Sequence, residues 1–198
     1  MADAKSMTGS VKVKQNRYSV KGTFHVIDPN KPIYNEKNKL CGVTNPRSMT
    51  YIHSYGKEYA FFEGISKGIL RGTRCMNPKC AFKGSTYLPF RIFCPDCLEE
   101  MKVVDLTSVA RKTAKIHTFM ITERTGAFNT LEKPIKFINV EIEGVSVMLM
   151  SYIQCGDPEI GLSVVPIFRT KNPTFTITDL SWVLKGTPAS KLPKGFTF

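Results

Sequence analysis

The chain of 198 residues has room for one ordinary domain with appendages, and 42% hydrophobic and 11% aromatic content suits a protein that buries a sizeable core. Its 28 Lys and Arg against 16 Asp and Glu leave a formal charge of +12, which attracts nucleic acid, an acidic protein or a phosphorylated cofactor alike and selects none of them. No window approaches the apolar run of a membrane span, and Met1-Ala2-Asp3-Ala4-Lys5-Ser6 offers no apolar stretch of signal-peptide length, so a cytoplasmic chain is expected.

The charge is uneven, with nine Lys and Arg against three Asp and Glu in residues 1–50. Residues 1–17 are polar and basic and are expected to form a flexible tail. Tyr18, Val20, Phe24, Val26 and Ile27 suffice for a short strand, which Asp28-Pro29-Asn30 ends. From there to Arg47, Asn, Lys and Pro predict an extended arm. Wrapping over a partner is one way to order such an arm, and residues 1–47 together read as a basic N-terminal extension.

In residues 48–71, Tyr51, Tyr55, Tyr59, Phe62, Ile65 and Ile69 recur at spacings of three and four, marking one helical face. Gly56 and Gly64 are expected to break it into two short helices. Such stripes usually pack on the chain's own core. The small module that follows has few partners to offer, which makes Tyr51, Tyr55, Tyr59 and Phe62 candidates for a partner-binding face.

Residues 72–104 carry Cys75-Met76-Asn77-Pro78-Lys79-Cys80, then thirteen residues, then Cys94-Pro95-Asp96-Cys97. Each pair sits on one tight turn and converges two thiolates. The arms Thr86-Tyr87-Leu88 and Arg91-Ile92-Phe93, with Pro89 between them, fold the pairs onto each other. A disulfide framework suits a short secreted chain and not a reduced one. Iron in a rubredoxin-like site uses the same four-thiolate geometry. Ala81 and Leu98, where such knuckles usually carry Gly, and the four-residue gap in the first pair favour zinc. Four thiolates leave no open coordination position, so the single ion per chain is structural, and comparable modules draw about 10 kcal/mol or more from it. Cys41 and Cys155 read as ordinary thiols.

Beyond the ribbon the pattern is all strand. Residues 109–121 read as one long strand with Ala114, Ile116, Thr118 and Met120 on one face. Residues 135–142 and 145–152 flank Glu143-Gly144, a tight hairpin signal. Residues 162–168 and 175–184 follow, joined at Lys171-Asn172-Pro173. Five strands over residues 105–185 match a small Greek-key barrel of the OB type, and residues 186–198 are expected to be an irregular tail. The fold class is therefore mainly β: an N-terminal arm and short helices, a four-cysteine rubredoxin-like zinc ribbon, then a five-stranded OB-type barrel. His25, His53 and His117 belong to no catalytic setting, Asp157 and Glu159 read as loop carboxylates, and no independent active site is expected.

Several stretches together resemble a known family. They are Phe61-Phe62-Glu63-Gly64-Ile65, Gly68-Ile69-Leu70-Arg71-Gly72-Thr73-Arg74-Cys75 and Pro89-Phe90-Arg91-Ile92-Phe93-Cys94-Pro95-Asp96-Cys97. Ala114-Lys115-Ile116-His117-Thr118-Phe119-Met120-Ile121 and Asp157-Pro158-Glu159-Ile160-Gly161-Leu162-Ser163-Val164 complete the set. Over residues 51–185 the chain resembles the rubredoxin-like zinc-ribbon plus OB-fold proteins, once a domain of unknown function, tied to acyl-CoA metabolism. The resemblance implies a non-catalytic subunit of a hetero-oligomer with a thiolase-superfamily enzyme. Archaeal acetoacetyl-CoA thiolase/HMG-CoA synthase assemblies and the benzoylsuccinyl-CoA thiolase of anaerobic toluene degradation are family examples, and related modules pair with acyl-CoA hydratases or aldolases. It further implies docking through helices and ribbon, with CoA or acyl-CoA shared with the partner and Lys112, Lys115 and Arg124 as candidates for the cofactor's phosphates. Two departures stand out: the first cysteine pair has four intervening residues instead of two, and the first fifty residues lie outside the family pattern. The alternative is a single-stranded nucleic-acid-binding ribbon–barrel protein, which the charge suits. Against it, the strands show no ladder of basic and stacking aromatic residues.

Overall fold

The computed structural model describes residues 9–14, 17–22, 25–49, 55–123, 125 and 130–198. The chain divides into two compact units, Met1–Ser54 and Tyr55–Phe198.

The first unit is a set of short ladders: β1 (Gly9–Lys14), β2 (Arg17–Gly22), β3 (His25–Ile27), β4 (Pro32–Tyr34), β5 (Leu40–Val43) and β6 (Arg47–Met49). Strand β1 pairs with β2, β3 with β6 and β4 with β5, all antiparallel. Two expectations are corrected here. Part of the supposed flexible tail is a hairpin, because apolar and polar residues alternate on both sides of it and register sets Val11 opposite Val20 and Val13 opposite Tyr18. The supposed irregular arm contains a second hairpin. Its Asn and Lys residues are turn chemistry: the Asn35 side-chain oxygen accepts the N–H groups of Lys37 and Lys39, both at 3.0 Å, and Asn38 takes a left-handed φ of 58°.

The second unit opens with a 3-10 turn, Gly56–Glu58, running into helix α1 (Tyr59–Ser66). Gly64 does not break the helix, contrary to the sequence expectation. It lets the helix end fold tightly onto the following strand, since a Cβ there would sit 2.8 Å from the Ile69 carbonyl. Strands β7 (Arg71–Arg74), β8 (Thr86–Tyr87) and β9 (Lys102–Asp105) form the ribbon in the order β8-β7-β9. Next comes helix α2 (Thr107–Thr113), where the sequence predicted the start of a long strand. Asp105 initiates it: one carboxylate oxygen accepts the Thr107 N–H at 2.8 Å and hydroxyl at 2.6 Å. Ala110 is buried on the helix and Ala114 just beyond it.

The barrel consists of β10 (Lys115–Thr122), β11 (Ile135–Glu141), β12 (Leu149–Cys155), β13 (Val164–Arg169) and β14 (Leu180–Leu184), with β15 (Phe196–Thr197) added at one edge. Sheet order is β10-β11-β12-β14-β13-β15, antiparallel except for the parallel β12–β14 pair. Ile116 donates to Leu162 and Val164 donates to Ala114, both at 3.0 Å, so the start of β13 returns to the start of β10. That path closes a five-stranded Greek-key barrel of the OB type.

Three local expectations change. The turn at Glu143-Gly144 exists, but β11 and β12 rejoin only where Val140 faces Leu149. Between them the chain detours to the ribbon, where Ser146 donates to the Thr86 carbonyl at 2.8 Å. Residues 175–179 are not strand but lead through a 3-10 turn, Ile177–Asp179. The tail is not wholly irregular, because Phe196 is buried and β15 pairs with β13.

One apolar core crosses the whole second unit. Trp182, Phe168, Leu180, Ile116, Ile138 and Leu149 from the barrel meet Phe61 and Ile65 of α1, Leu70, Leu88 and Phe90 around the ribbon base, and Leu106. Full burial of each such side chain contributes about 1.5–3 kcal/mol. The ribbon base is thus anchored as firmly as the barrel, which leaves its far end to be held by other means.

Candidate metal centre

At that far end Cys75, Cys80, Cys94 and Cys97 converge, with all four sulfurs within 4.8 Å of one another. Sγ of Cys75 lies 3.8 Å from that of Cys97, and Sγ of Cys80 lies 4.0 Å from that of Cys94. Four sulfurs bound at about 2.3 Å in a tetrahedron stand about 3.8 Å apart, so the spacing fits one ion held by four thiolates. A disulfide requires about 2.05 Å, and all six cysteines are free. Cys75, Cys80 and Cys94 are buried and Cys97 is half-buried.

Backbone geometry prepares the sulfurs for negative charge. The N–H groups of Asn77, Phe82 and Glu99 donate to Cys75, Cys80 and Cys97 respectively. Burial outweighs these donors for Cys80, whose thiol is pushed up to about 12, and raises Cys75 as well. At Cys97 the Glu99 N–H dominates and brings the thiol down to about 7. Buried thiols that resist ionisation alone are what a bound cation corrects.

The irregular first knuckle is closed by its own side chain. Asn77 accepts the Lys79 N–H on its side-chain oxygen at 2.9 Å, and its carbonyl accepts the Cys80 N–H at 3.1 Å. Four intervening residues therefore still deliver two converging sulfurs. In the second knuckle Leu98 adopts φ 60°, the conformation glycine takes more readily, so that its N–H reaches the Cys94 carbonyl at 3.0 Å. Outside the ligands, the Tyr87 hydroxyl donates to Asp96 at 3.3 Å. Burial, then the Asp96 charge, raises the Tyr87 pKa.

The remaining sequence candidates are dispersed. Tyr51 and Arg124 lie outside the described residues. Tyr55 stacks on Phe62 with ring centroids 4.0 Å apart and donates its hydroxyl to the Phe175 carbonyl, so both rings are engaged within the chain. Tyr59 is exposed. Lys112 and Lys115 share one groove of about 580 Å³, where Glu141 and Glu143 sit beside them. The barrel surface at β10–β12 sets Thr118, Asn139 and Met150 in register across the three strands, with Met120 exposed on β10 and Met148 exposed just before β12. No described helix is long and apolar enough to cross a membrane.

No family model and no curated protein matches the chain. Several solved structures are similar, among them the following two. A DUF35 family protein of unknown function from Sulfolobus solfataricus is 19% identical, covering 64% of this chain and 83% of its own, with a TM-score of 0.45. The Ltp2-ChsH2(DUF35) aldolase is 16% identical, covering 68% of this chain and 97% of its own, with a TM-score of 0.49. The structural neighbours are thus DUF35 family proteins, and the four close cysteines fit a zinc ribbon.

Proposed function

We propose that this chain is a non-catalytic, zinc-binding OB-fold subunit that docks on and supports an acyl-CoA enzyme of the thiolase superfamily. The observation that carries this reading is the surface of the metal-bearing end. Met76, Phe82, Phe93 and Leu98 each lie within two residues of a ligating cysteine, and all are more than half exposed. A ribbon closed by four thiolates holds these apolar side chains in place, so little ordering entropy is lost when a partner covers them. Leu98 combines a left-handed backbone with 76% exposure, a costly combination for a leucine without a partner surface.

Zinc bound by Cys75, Cys80, Cys94 and Cys97 is held in a filled shell and serves the fold, since no coordination position remains for substrate. Chemistry then belongs to the partner, and CoA or acyl-CoA is shared with it. Lys112 and Lys115 are weak candidates for the cofactor's phosphates, because two carboxylates compete in their groove.

Purification of the tagged full chain from its native source tests the proposal. A thiolase-superfamily subunit in fixed ratio, with one zinc per chain, is the expected result. The Phe93→Asp and Leu98→Asp variants should keep the zinc and lose the enzyme. Recovery of no acyl-CoA enzyme overturns the reading, and salt-sensitive micromolar binding of single-stranded oligonucleotides would replace it with the nucleic-acid alternative.

A further inference from the structure

A cavity of about 430 Å³ opens at one end of the barrel, between the start of β11, the end of β12 and the end of β13. Three cationic side chains, Lys133, Lys136 and Arg169, line it, and Glu132 is the one carboxylate among its described lining residues, with Asp157 and Asp179 behind Lys136 and Arg169. Tyr152 and Ile153 add a flat and apolar wall. In OB barrels this region, the second and third strands with the loops that flank them, is the usual ligand position.

The three cations are unequally engaged. Arg169 Nε is buried and makes no hydrogen bond. Its nearest carboxylate, Asp179, stands 3.5 Å away and is already committed to the N–H groups of Thr174 and Phe175, both at 2.7 Å, and to the Thr174 hydroxyl. The guanidinium lies over the Phe196 ring, 5.0 Å from its centroid, which limits its freedom to reorient. Lys136 bonds the Gly156 carbonyl and Asp157, but that aspartate is 87% exposed, and such pairs yield to a competing anion at little cost. Lys133 makes no ion pair among the described residues.

We propose that this cavity binds the phosphate group of a small phosphate ester. A tetrahedral dianion can accept donors from several sides at once, whereas a planar carboxylate is satisfied by one fork. The volume falls in the range of small-molecule pockets, so the ester is of mononucleotide size and not a polymer. The chain's +12 charge draws anions toward it from a distance. This site is separate from the Lys112–Lys115 groove and exists whether or not the chain serves an acyl-CoA enzyme.

Titration of the full chain with pyrophosphate, adenosine monophosphate and adenosine, followed by calorimetry and by the Arg Nε–H signals in proton–nitrogen NMR, tests this. Both phosphate probes should saturate and shift the Arg169 Nε–H signal, and adenosine should not. Tighter binding of the monophosphate than of pyrophosphate identifies the ester. The reverse order reassigns the site to a free inorganic anion and overturns the ester proposal. The Lys133→Gln/Lys136→Gln double variant, altered only outside the core, should bind at least about tenfold more weakly, and Lys112→Gln/Lys115→Gln should bind as the wild type does. Three results overturn the site: an unmoved Arg169 signal, equal small shifts in all arginine Nε–H signals, or loss of binding confined to the Lys112/Lys115 variant.

Discussion

The two ends of the ribbon are held by different forces. At its base, Leu70, Leu88 and Phe90 belong to the same apolar core as Trp182 and Phe168 of the barrel. At its tip, the buried set is the cysteines with Tyr87 and Met101, too few apolar side chains to hold several loops in place. A core this small is marginal by itself, and the four cysteines could hold an ion where hydrophobic burial stops. On the proposed reading, one region's stability follows apolar area and the adjacent one's follows an ion.

Metal removal should break this contrast most sharply. Chelation, or Cys94→Ser, is expected to unfold the tip while the barrel survives, because ligation in comparable modules is worth about 10 kcal/mol or more. The NMR signals of Met101 and Tyr87 should collapse, while fluorescence of Trp182, the single tryptophan, stays native. Loss of both together would mean that tip and base form one cooperative unit.

The reciprocal change acts on the core. Trp182 is fully buried, and Trp182→Ala should cost about 3–5 kcal/mol in denaturant unfolding of the barrel. Zinc content per folded chain should stay at one.

A smaller and opposite effect is expected at the tip. Leu98→Gly relieves a left-handed leucine whose side chain contacts mainly solvent, and should raise the tip's stability by about 1 kcal/mol, read as slower zinc release to a chelator. If the partner covers Leu98, the same variant should weaken the complex, so one substitution separates local strain from interface use.

The smallest effect concerns acid. Hydrogen bonds from Lys67 and Arg71 hold the Glu63 carboxyl below its ordinary 4.5. A folded-state pKa below the unfolded one contributes stability that is fully present above pH 4.5 and lost as pH falls through the lowered value. A carboxyl titration by NMR should show Glu63 ionising below its ordinary 4.5, and Arg71→Gln should move it upward.

The four-cysteine cluster was legible because its members come in close pairs, and turns of a few residues can converge them almost independently of the rest. Even the unusual first knuckle needed only Asn77 to close it. Strands β10, β11, β12 and β13 were legible as short apolar runs between turn signals, and their order 1-2-3-5-4 follows from the Greek-key connection. The expected shared face of β10 fails, because a bulge between Ile116 and Thr118 leaves Thr118 and Met120 exposed while Ile116 is buried. Helix α2 was missed because Val109, Ala110 and Thr113 are compatible with strand, and the Asp105 turn that starts the helix is a side-chain event with no periodic signature. The β4–β5 hairpin was hidden by composition, since Asn and Lys serve turns as readily as irregular arms. The β1–β2 hairpin did carry an alternation, which its basic, polar surroundings masked.

From the residues alone one could conclude that this chain carries a four-cysteine cluster able to hold a metal, followed by a small barrel. Short-range chemistry sets both: turn-sized cysteine spacing and short apolar runs between turn signals. Only the tertiary structure decided that the ribbon's base shares the barrel's core, that Tyr55 and Phe62 stack within the chain, and that Lys133, Lys136 and Arg169 line one cavity. Those groups are brought together by register across strands distant in sequence, and no local pattern encodes such a meeting.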